Sequence, residues 1–321
     1  MINTVSLSII PEFTSVNPAR GVVWMTGGNS SFSNPAAVEI KESNDKIIRT
    51  VNLNHFSDAQ TIDPVTGNLI EGTVDGYVAL VNEATGAEAD IPVANEANSF
   101  AGGIGVDTVT GNIYVADRNV SNAADHDSTV SEISQQTDSV IDSIDVPNQA
   151  EAVAVDSATG TVYVAPIVQS ASPLVLAGSV LVIKESTNKI VDTIGNVGNL
   201  PYSMTVDPIS GKLFVSHYFA GSLVVINLKT NKITDTIVLP KGFAADTPAA
   251  DPVNGMVHVN DFDEGAEFVV SEQTDALVAT IKVPDAAGGL AVDPARALVY
   301  AGSESPGSGS LAVIQAAPPS L

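Results

Sequence analysis

Acidic side chains recur at one position of a motif that the chain repeats seven times. The motif is a short apolar run, an aspartate or asparagine that we call the anchor residue, usually a glycine four residues later, and a second apolar run. The anchors are Asn17, Asp63, Asp107, Asp156, Asp207, Asp251 and Asp293. Five residues before them lie Glu12, Asp58, Gly102, Glu151, Tyr202, Asp246 and Gly288. Four of these seven are carboxylates, which bind a cation if the fold brings them together and otherwise form a solvated rim. The five side chains other than glycine, with His55 from the loop before Asp58, are candidate ligand-binding residues.

Two further positions of the motif carry side chains that suit acid–base chemistry. Ten residues after the anchor, copies three, five and six have Asp117, His217 and Asp261. Glu71 stands eight residues after its anchor, where the other copies have apolar residues. A carboxylate in an apolar position is costly unless it is paired or functional. These four residues are candidate catalytic groups. The alternative is that the first three cap turns and Glu71 faces solvent.

A short acidic segment offers ligands for a metal ion. Asp125, His126 and Asp127 lie in a long loop that follows Asp117. Their side chains, together with the Asp117 carboxylate, could hold Ca²⁺, Mg²⁺ or Zn²⁺. The cofactor prediction is therefore a divalent cation of undetermined identity, and a solvated acidic loop without metal is the alternative.

The spacing of the repeat predicts the elements that position these residues. Successive anchors are 42 to 51 residues apart, the length of one four-stranded propeller blade. Each anchor and its glycine suit the turn between the first two strands, and a threonine followed by Asp, Asn or Gly suits the turn between the last two. We predict an all-β fold, a seven-bladed β-propeller of four-stranded antiparallel blades, in a single domain over residues 1–321. The predicted blade cores are residues 13–51, 59–93, 102–146, 152–194, 202–237, 248–281, and 288–315 plus 2–9.

The ends of the chain indicate how the ring closes. The last copy stops before a fourth strand, and residues 2–9 resemble the missing strand. We expect the N-terminal strand to join the C-terminal blade, because closure removes exposed sheet edges. An open solenoid is the alternative. In a closed ring the first strand of each blade is innermost, so the four carboxylates would surround one mouth of the central channel.

The second strands of the repeats also carry a family resemblance. The segments NIYVAD (112–117), TVYVAP (161–166) and KLFVSH (212–217) resemble the Y-V-T-N consensus of the YVTN-repeat β-propellers. The resemblance covers roughly residues 10–315 and implies the seven-bladed fold. Propellers of this kind include surface-layer proteins, binding scaffolds, lactonases and a metal-dependent antibiotic lyase, so the resemblance implies no single function.

Charge and composition exclude several classes of partner. The 321 residues include 37 acidic and only 13 basic side chains, for a net charge of −24. This leaves no basic stripe for nucleic acid or an anionic membrane, and no apolar run approaches the ~20 residues that span a bilayer. The chain has no cysteine, which excludes disulfides and thiolate ligands. We expect a cytoplasmic protein if Met1 is the native start, and an exported one if a signal peptide has been removed.

Two functional hypotheses follow. The first is a binding scaffold that uses the acidic channel mouth to hold a small molecule, a metal ion or a protein partner. The second is a lyase or hydrolase that acts on an organic substrate through carboxylate and histidine acid–base or metal-assisted chemistry. The sequence leaves open whether the protein is an enzyme, and it does not predict an oligomeric state.

Overall fold

The computed structural model describes residues 3–29, 33–93, 99–119, 128–167, 178–198, 200–217, 220–240, 244–261, 265–283, 287–305 and 308–316. These residues form seven four-stranded antiparallel sheets, and none of them is helical. The chain begins with β1 (Asn3–Leu7), which belongs to the last blade. Blade 1 contains β2 (Ile10–Asn17), β3 (Val22–Gly28), β4 (Ala36–Lys41) and β5 (Lys46–Asn52). Blade 2 contains β6 (Ser57–Ile62), β7 (Leu69–Thr73), β8 (Tyr77–Val81) and β9 (Glu88–Pro92). Blade 3 contains β10 (Ser99–Val106), β11 (Asn112–Asn119), β12 (Ser128–Ser134) and β13 (Ser139–Val146).

The remaining blades follow the same order. Blade 4 contains β14 (Gln149–Asp156), β15 (Thr161–Ile167), β16 (Gly178–Lys184) and β17 (Lys189–Gly198). Blade 5 contains β18 (Ser203–Asp207), β19 (Lys212–His217), β20 (Ser222–Asn227) and β21 (Lys232–Val238). Blade 6 contains β22 (Pro248–Asp251), β23 (Met256–Asp261), β24 (Ala266–Ser271) and β25 (Ala276–Lys282). Blade 7 contains β26 (Ala287–Asp293), β27 (Leu298–Ser305), β28 (Ser308–Gln315) and β1.

The first strands of the seven blades form the inner wall of the ring. Each first strand contacts the first strand of the next blade, from β2 to β26, and β26 in turn contacts β2. The N-terminal strand completes blade 7, because β1 pairs antiparallel with β28 from Asn3↔Val313 to Leu7↔Gly309. The predicted seven-bladed ring and its closure by the N-terminal strand are both confirmed.

The anchor residue shapes the turn between the first two strands. The Asp63 carboxylate accepts hydrogen bonds from Val65 N (2.8 Å) and the Thr66 hydroxyl (2.6 Å). The N–H of Gly67 donates to the Asp63 carbonyl at 2.8 Å, and Gly67 has φ +82°. An aspartate that binds turn amides and a glycine in the left-handed region therefore explain the spacing of the motif. The end of the ring that carries the seven anchor turns is called the turn face below, and the opposite end is called the mouth face.

The core lies between neighbouring blades. An aromatic ring seven residues after the anchor is completely buried in five blades: Trp24, Tyr114, Tyr163, Phe214 and Tyr300. Blade 6 has His258 at this position, and its Nδ1 lies 2.5 Å from Glu267 Oε1 in the buried interior. His258 is therefore a packed, paired ring, as its place in the repeat predicts.

The outermost strands carry a repeated irregularity. In five blades the register between the third and fourth strands skips one residue, which forms a β-bulge. The bulged residues are Ile48, Ile141, Val191, Thr234 and Val278. Bulges twist an exposed edge and hinder its pairing with another sheet.

Candidate functional site

A β-bulge displays the acidic position on the inner strand in three blades. In blade 1 the pairing with the second strand skips from Pro11↔Gly27 to Phe13↔Thr26. The same skip occurs in blades 2 and 4. The residues left unpaired by these skips are Glu12, Asp58 and Glu151. A bulge re-aims a side chain out of the regular alternation, so the irregularity repeats where the motif places a carboxylate.

The acidic positions of neighbouring blades lie next to one another. A Cβ atom on Gly102 of blade 3 would lie 3.7 Å from Asp58 Oδ2 of blade 2 and 3.5 Å from the Glu151 carbonyl of blade 4. A Cβ atom on Gly288 of blade 7 would lie 2.2 Å from the Pro11 carbonyl of blade 1. The approach at Gly288 is too close for any Cβ atom and therefore requires glycine, whereas the distances at Gly102 are ordinary van der Waals contacts.

Arg118 joins two members of the set, and the sequence analysis missed it. Arg118 lies on the second strand of blade 3. Its Nη1 is 2.5 Å from Glu151 Oε2, and its Nη2 is 3.6 Å from Asp58 Oδ2. The guanidinium also lies over the ring of Phe100, 5.0 Å from its centroid. The available signal was a basic residue directly after a candidate position in a chain with 13 basic residues.

The pKa shifts in this cluster have one main cause. Burial raises the pKa of Asp58 and of Glu151, and the charge of Arg118 opposes the rise in both. Burial lowers the pKa of Arg118, but the charges of Glu151 and Asp58 outweigh it and raise that pKa overall. The three groups are therefore a mutually stabilised, partly desolvated set that holds one planar cation.

The other members of the set lie on the remaining inner strands. Glu12 and Asp246 are half-buried, whereas Tyr202 is 45% exposed and its backbone N–H donates to the Ser216 carbonyl at 2.9 Å. The charge state of Tyr202 also influences the pKa of Arg118, so it lies near that side of the set. In ring order from blade 6 the positions are Asp246, Gly288, Glu12, Asp58, Gly102, Glu151 and Tyr202.

Beyond the acidic positions, the inner strands line a neutral, mostly apolar cavity of about 360 Å³. Its lining includes Thr14, Gln60, Thr61 and Thr247 together with apolar residues. The Gln60 amide is fixed, because its Nε2 donates to the Trp24 carbonyl (3.1 Å) and its Oε1 accepts from the Thr26 hydroxyl (2.7 Å). Hydroxyl and amide groups thus line the channel next to the carboxylates.

Glu71 lies behind this cavity wall. It is 1% exposed, pairs across the sheet with Gln60, and accepts from the Thr26 hydroxyl at 3.4 Å. Its Oε1 has no hydrogen-bond partner among the described residues. Burial raises the pKa of Glu71 well above its usual range, although the hydroxyls of Ser57 and Thr26 oppose the rise.

The other three candidate catalytic residues each have separate surroundings. Asp117 is buried and accepts from the hydroxyls of Thr129 (2.9 Å) and Ser131 (2.5 Å), and burial raises its pKa to about 7. Asp261 is buried and accepts from the Ala244 N–H at 3.3 Å.

His217 is buried at the end of β19, and burial lowers its pKa. A Cβ atom on Gly198 of blade 4 would lie 2.8 Å from its Nε2. Glu71, Asp117, His217 and Asp261 belong to blades 2, 3, 5 and 6, and their joint action in catalysis stays a prediction.

His55 lies away from Asp58, towards the outside of blade 2. Its Nδ1 is 2.7 Å from Asp75 Oδ2 and its Nε2 is 3.6 Å from Asp90 Oδ2, while its ring stacks on Tyr77 at 4.5 Å. Asp90 is on β9, the outermost strand of the blade. His55 therefore belongs to a peripheral cluster.

The metal prediction concerns residues that lie mostly outside the described part of the chain. Asp125, His126 and Asp127 fall there, and only Asp117 of that set is described. Among the residues that the structure describes, no three His, Asp or Glu side chains are grouped as metal ligands. The described residues also include no helix long and apolar enough to cross a membrane.

Basic residues are distributed unevenly between the two faces. Nine of the 13 lie in turns of the turn face or on the adjoining strand ends: Arg20, Lys41, Lys46, Lys184, Lys189, Lys212, Lys229, Lys232 and Arg296. Among the described residues, the only basic side chains at strand ends of the mouth face are Arg118 and Lys282. The mouth face therefore carries its carboxylates with few compensating cations, which concentrates negative potential there.

Comparison with known proteins identifies the fold alone. No family model matches the chain, and no curated relative matches it. Among solved structures, hydrazine synthase of Kuenenia stuttgartiensis matches with a TM-score of 0.78 and 13% identity, over 98% of this chain and 97% of that chain. Because 1742 solved chains match, the architecture is widely shared and does not indicate one activity. The seven-bladed fold implied by the YVTN resemblance is confirmed, and membership of that family remains a resemblance.

Proposed function

We propose that this chain is a non-enzymatic binding scaffold that holds a small organic cation at the mouth of the central channel. The observation that carries the proposal is the set formed by Asp58, Arg118 and Glu151, drawn from three successive blades. Arg118 shows the kind of ligand that we expect to bind: a planar cation that lies between two carboxylates and over an aromatic ring.

The order of residues around the ring extends this argument to a second place. Asp58, Gly102 and Glu151 follow one another in blades 2, 3 and 4, and Asp246, Gly288 and Glu12 repeat the acid–glycine–acid order in blades 6, 7 and 1. The glycine blade supplies Arg118 in the first case, whereas the sequence of blade 7 has no basic residue eleven residues after its anchor. The two carboxylates of the second set attract a cation in the same way.

Titration calorimetry with a matched pair of probes tests the proposal. We expect 1,6-diaminohexane to bind saturably at low ionic strength and 1,6-hexanediol, which has no charge, not to bind. Glu12→Gln with Asp246→Asn should weaken diamine binding at least about tenfold, since two charge-assisted contacts are lost. Asp45→Asn with Asp138→Asn removes the same charge from the turn face and should leave binding unchanged.

Equal affinity of both double variants for the diamine would contradict the proposal, as would equal binding of the diol. Tight binding of Ca²⁺ with no diamine binding would replace the organic cation by a metal ion. The alternative, lyase or hydrolase chemistry by Glu71, Asp117, His217 and Asp261, stays a prediction.

A further inference from the structure

The blade junctions on the turn face carry carboxyl pairs that the proposed function does not use. In blades 1, 4 and 6 a glutamate opens the turn between the third and fourth strands: Glu42, Glu185 and Glu272. The backbone N–H of each glutamate donates to the carbonyl oxygen of the glycine that lies four residues after the anchor of the same blade, at 3.0, 3.2 and 2.9 Å respectively. The side chain of each reaches the anchor aspartate of the preceding blade, which is Asp293, Asp107 and Asp207 respectively.

A hydrogen bond between two carboxyl groups requires a proton on one of them, because ionised carboxylates only accept. The surroundings of the glutamate oxygens also indicate a proton, because they supply few hydrogen-bond donors to an ionised carboxylate. Glu185 Oε1 is buried with no donor among the described residues, and the two buried oxygens of Glu272 have only the Ser210 hydroxyl as a side-chain donor there. A proton on the glutamate would turn one of these oxygens into a donor towards the aspartate.

Blade 3 contains a natural comparison for the protonated form. Its residue at this position is Gln135, whose Nε2 donates to Oδ2 of Asp63, the anchor of blade 2, at 3.2 Å. A glutamine amide has nearly the shape of a protonated glutamate and is always a donor. In blade 2 the preceding anchor is Asn17, and there Glu83 pairs with Arg20 at 2.7 Å. At this junction the glutamate faces an arginine and no anchor aspartate.

We propose that Glu42, Glu185 and Glu272 each hold a proton in the folded ring and act as proton-dependent clasps between neighbouring blades. The aspartates are the acceptors because their turns stabilise their charge. Burial raises the pKa of Asp107, but hydrogen bonds from Thr110, Val109 and Ser157, with that from Glu185, outweigh it and lower the pKa overall. Burial in turn raises the pKa of Glu42 and of Glu185 to about 7 and that of Glu272 to about 8.

Other charged groups set how strongly each clasp depends on its proton. Arg296 Nη1 contacts both Glu42 Oε2 (2.8 Å) and Asp293 Oδ2 (2.5 Å), so this pair keeps a cation when the proton is lost. The groups that face Glu42 are Asp293, Arg296 and Tyr300. Those that face Glu185 are Asp107, Glu132, Lys184 and Tyr114. Those that face Glu272 are Asp207, Ser210, Lys212 and Asp275. Glu185 and Glu272 are therefore the more sensitive clasps.

The sign of the pH effect follows from linkage. The unfolded glutamates lose their protons near the reference pKa of 4.5, whereas the folded ones keep them until about 7 to 8. The stability of the ring therefore falls as pH rises from about 4.5 to about 8 and changes no further through these groups above that. The protons leave the folded junctions in the upper part of this window.

Equilibrium unfolding in denaturant at pH 5 and pH 8.5 tests the clasps. Relative to the native chain, Glu185→Gln with Glu272→Gln should change the unfolding constant little at pH 5 and lower it at least about tenfold per site at pH 8.5, since each pKa unit is a factor of ten. Gln135→Glu creates a fourth acidic pair and should do the opposite, raising the unfolding constant at pH 8.5 more than at pH 5.

Three outcomes would overturn the proposal. The first is a Gln double variant that is destabilised equally at both pH values. The second is a Gln135→Glu variant whose pH dependence matches that of the native chain. The third is stabilisation of the native chain by Ca²⁺ at pH 8.5, lost in the Gln double variant, which would assign the pairs to a cation instead of a proton.

Discussion

Burial controls the protonation of single carboxyl groups in this molecule. Asp117 has two hydroxyl donors, yet its pKa lies at about 7, because desolvation outweighs the hydrogen bonds from Ser131 and Thr129. Its other oxygen, Oδ1, has no partner among the described residues. At neutral pH this buried carboxyl therefore costs stability, since the unfolded chain loses the proton at much lower pH.

Asp117→Asn should remove that cost. The free energy of unfolding of the variant, relative to the native chain, is expected to rise between pH 4 and pH 7 by up to about 4 kcal/mol and then to level off. Asp145→Asn, at an exposed site in the same blade, controls for the loss of one charge. Denaturant unfolding at several pH values measures both, and a difference between Asp117→Asn and the native chain that is constant with pH would be inconsistent with a buried, protonated Asp117.

Three single residues show which contacts could be predicted from the sequence and which could not. Glu71 was identified because an acid interrupts an apolar position, and it is indeed buried. Arg118 was missed, because its partners Asp58 and Glu151 come from blades on either side and no local pattern signals a contact across blades. The opposite holds for His55. It was grouped with Asp58 because the two are close in the sequence, whereas its partners in the structure are Asp75 and Asp90.

At the scale of elements, close backbone contact between blades decides which positions must be glycine. A Cβ atom on Gly72 of β7 would lie 2.1 Å from the Ala101 carbonyl of β10 in the next blade. Gly195 of β17 has no atom within 4 Å of the equivalent point. These two strand glycines therefore have different roles, one in packing between blades and one without a steric requirement.

The pair gives a direct test of inter-blade packing. Gly72→Ala should lower the free energy of unfolding by about 1–3 kcal/mol or more, because the added methyl group forces the blades apart. Gly195→Ala should be neutral or stabilise by about 0.4–1 kcal/mol through the unfolded state. Denaturant unfolding of both variants decides the matter, and an equal effect of the two substitutions would refute the close contact.

The repeat also explains why elements were easier to predict than site geometry. A threonine-led turn and an anchor turn recur in nearly every copy, so strands and hairpins follow from local chemistry. The bulges that display Glu12 and Glu151 depend on backbone register, which the side-chain pattern does not encode.

At the scale of the whole molecule, the closed ring turns one position of a repeat into a circle of neighbours. The inner strands β2 to β26 contact in sequence around the ring, and β1 closes it through β28. Asp58 and Glu151, which are far apart in the sequence, thereby meet at Arg118, while nine basic residues lie at or beside turns of the opposite face. The proposed cation site depends on this difference in charge between the two faces.

Thiol labelling measures that polarity directly, because the chain has no cysteine of its own. Tyr202→Cys places a thiol at the mouth, and Val109→Cys places one on the turn face, where Val109 is 76% exposed. The rates of reaction with a cationic and with an anionic methanethiosulfonate reagent give the local potential at each thiol. We predict that the cationic-to-anionic rate ratio at low ionic strength is at least about tenfold higher for Tyr202→Cys than for Val109→Cys, and that salt reduces the difference. Equal ratios at the two positions would contradict the acidic mouth and, with it, the proposed cation-binding function.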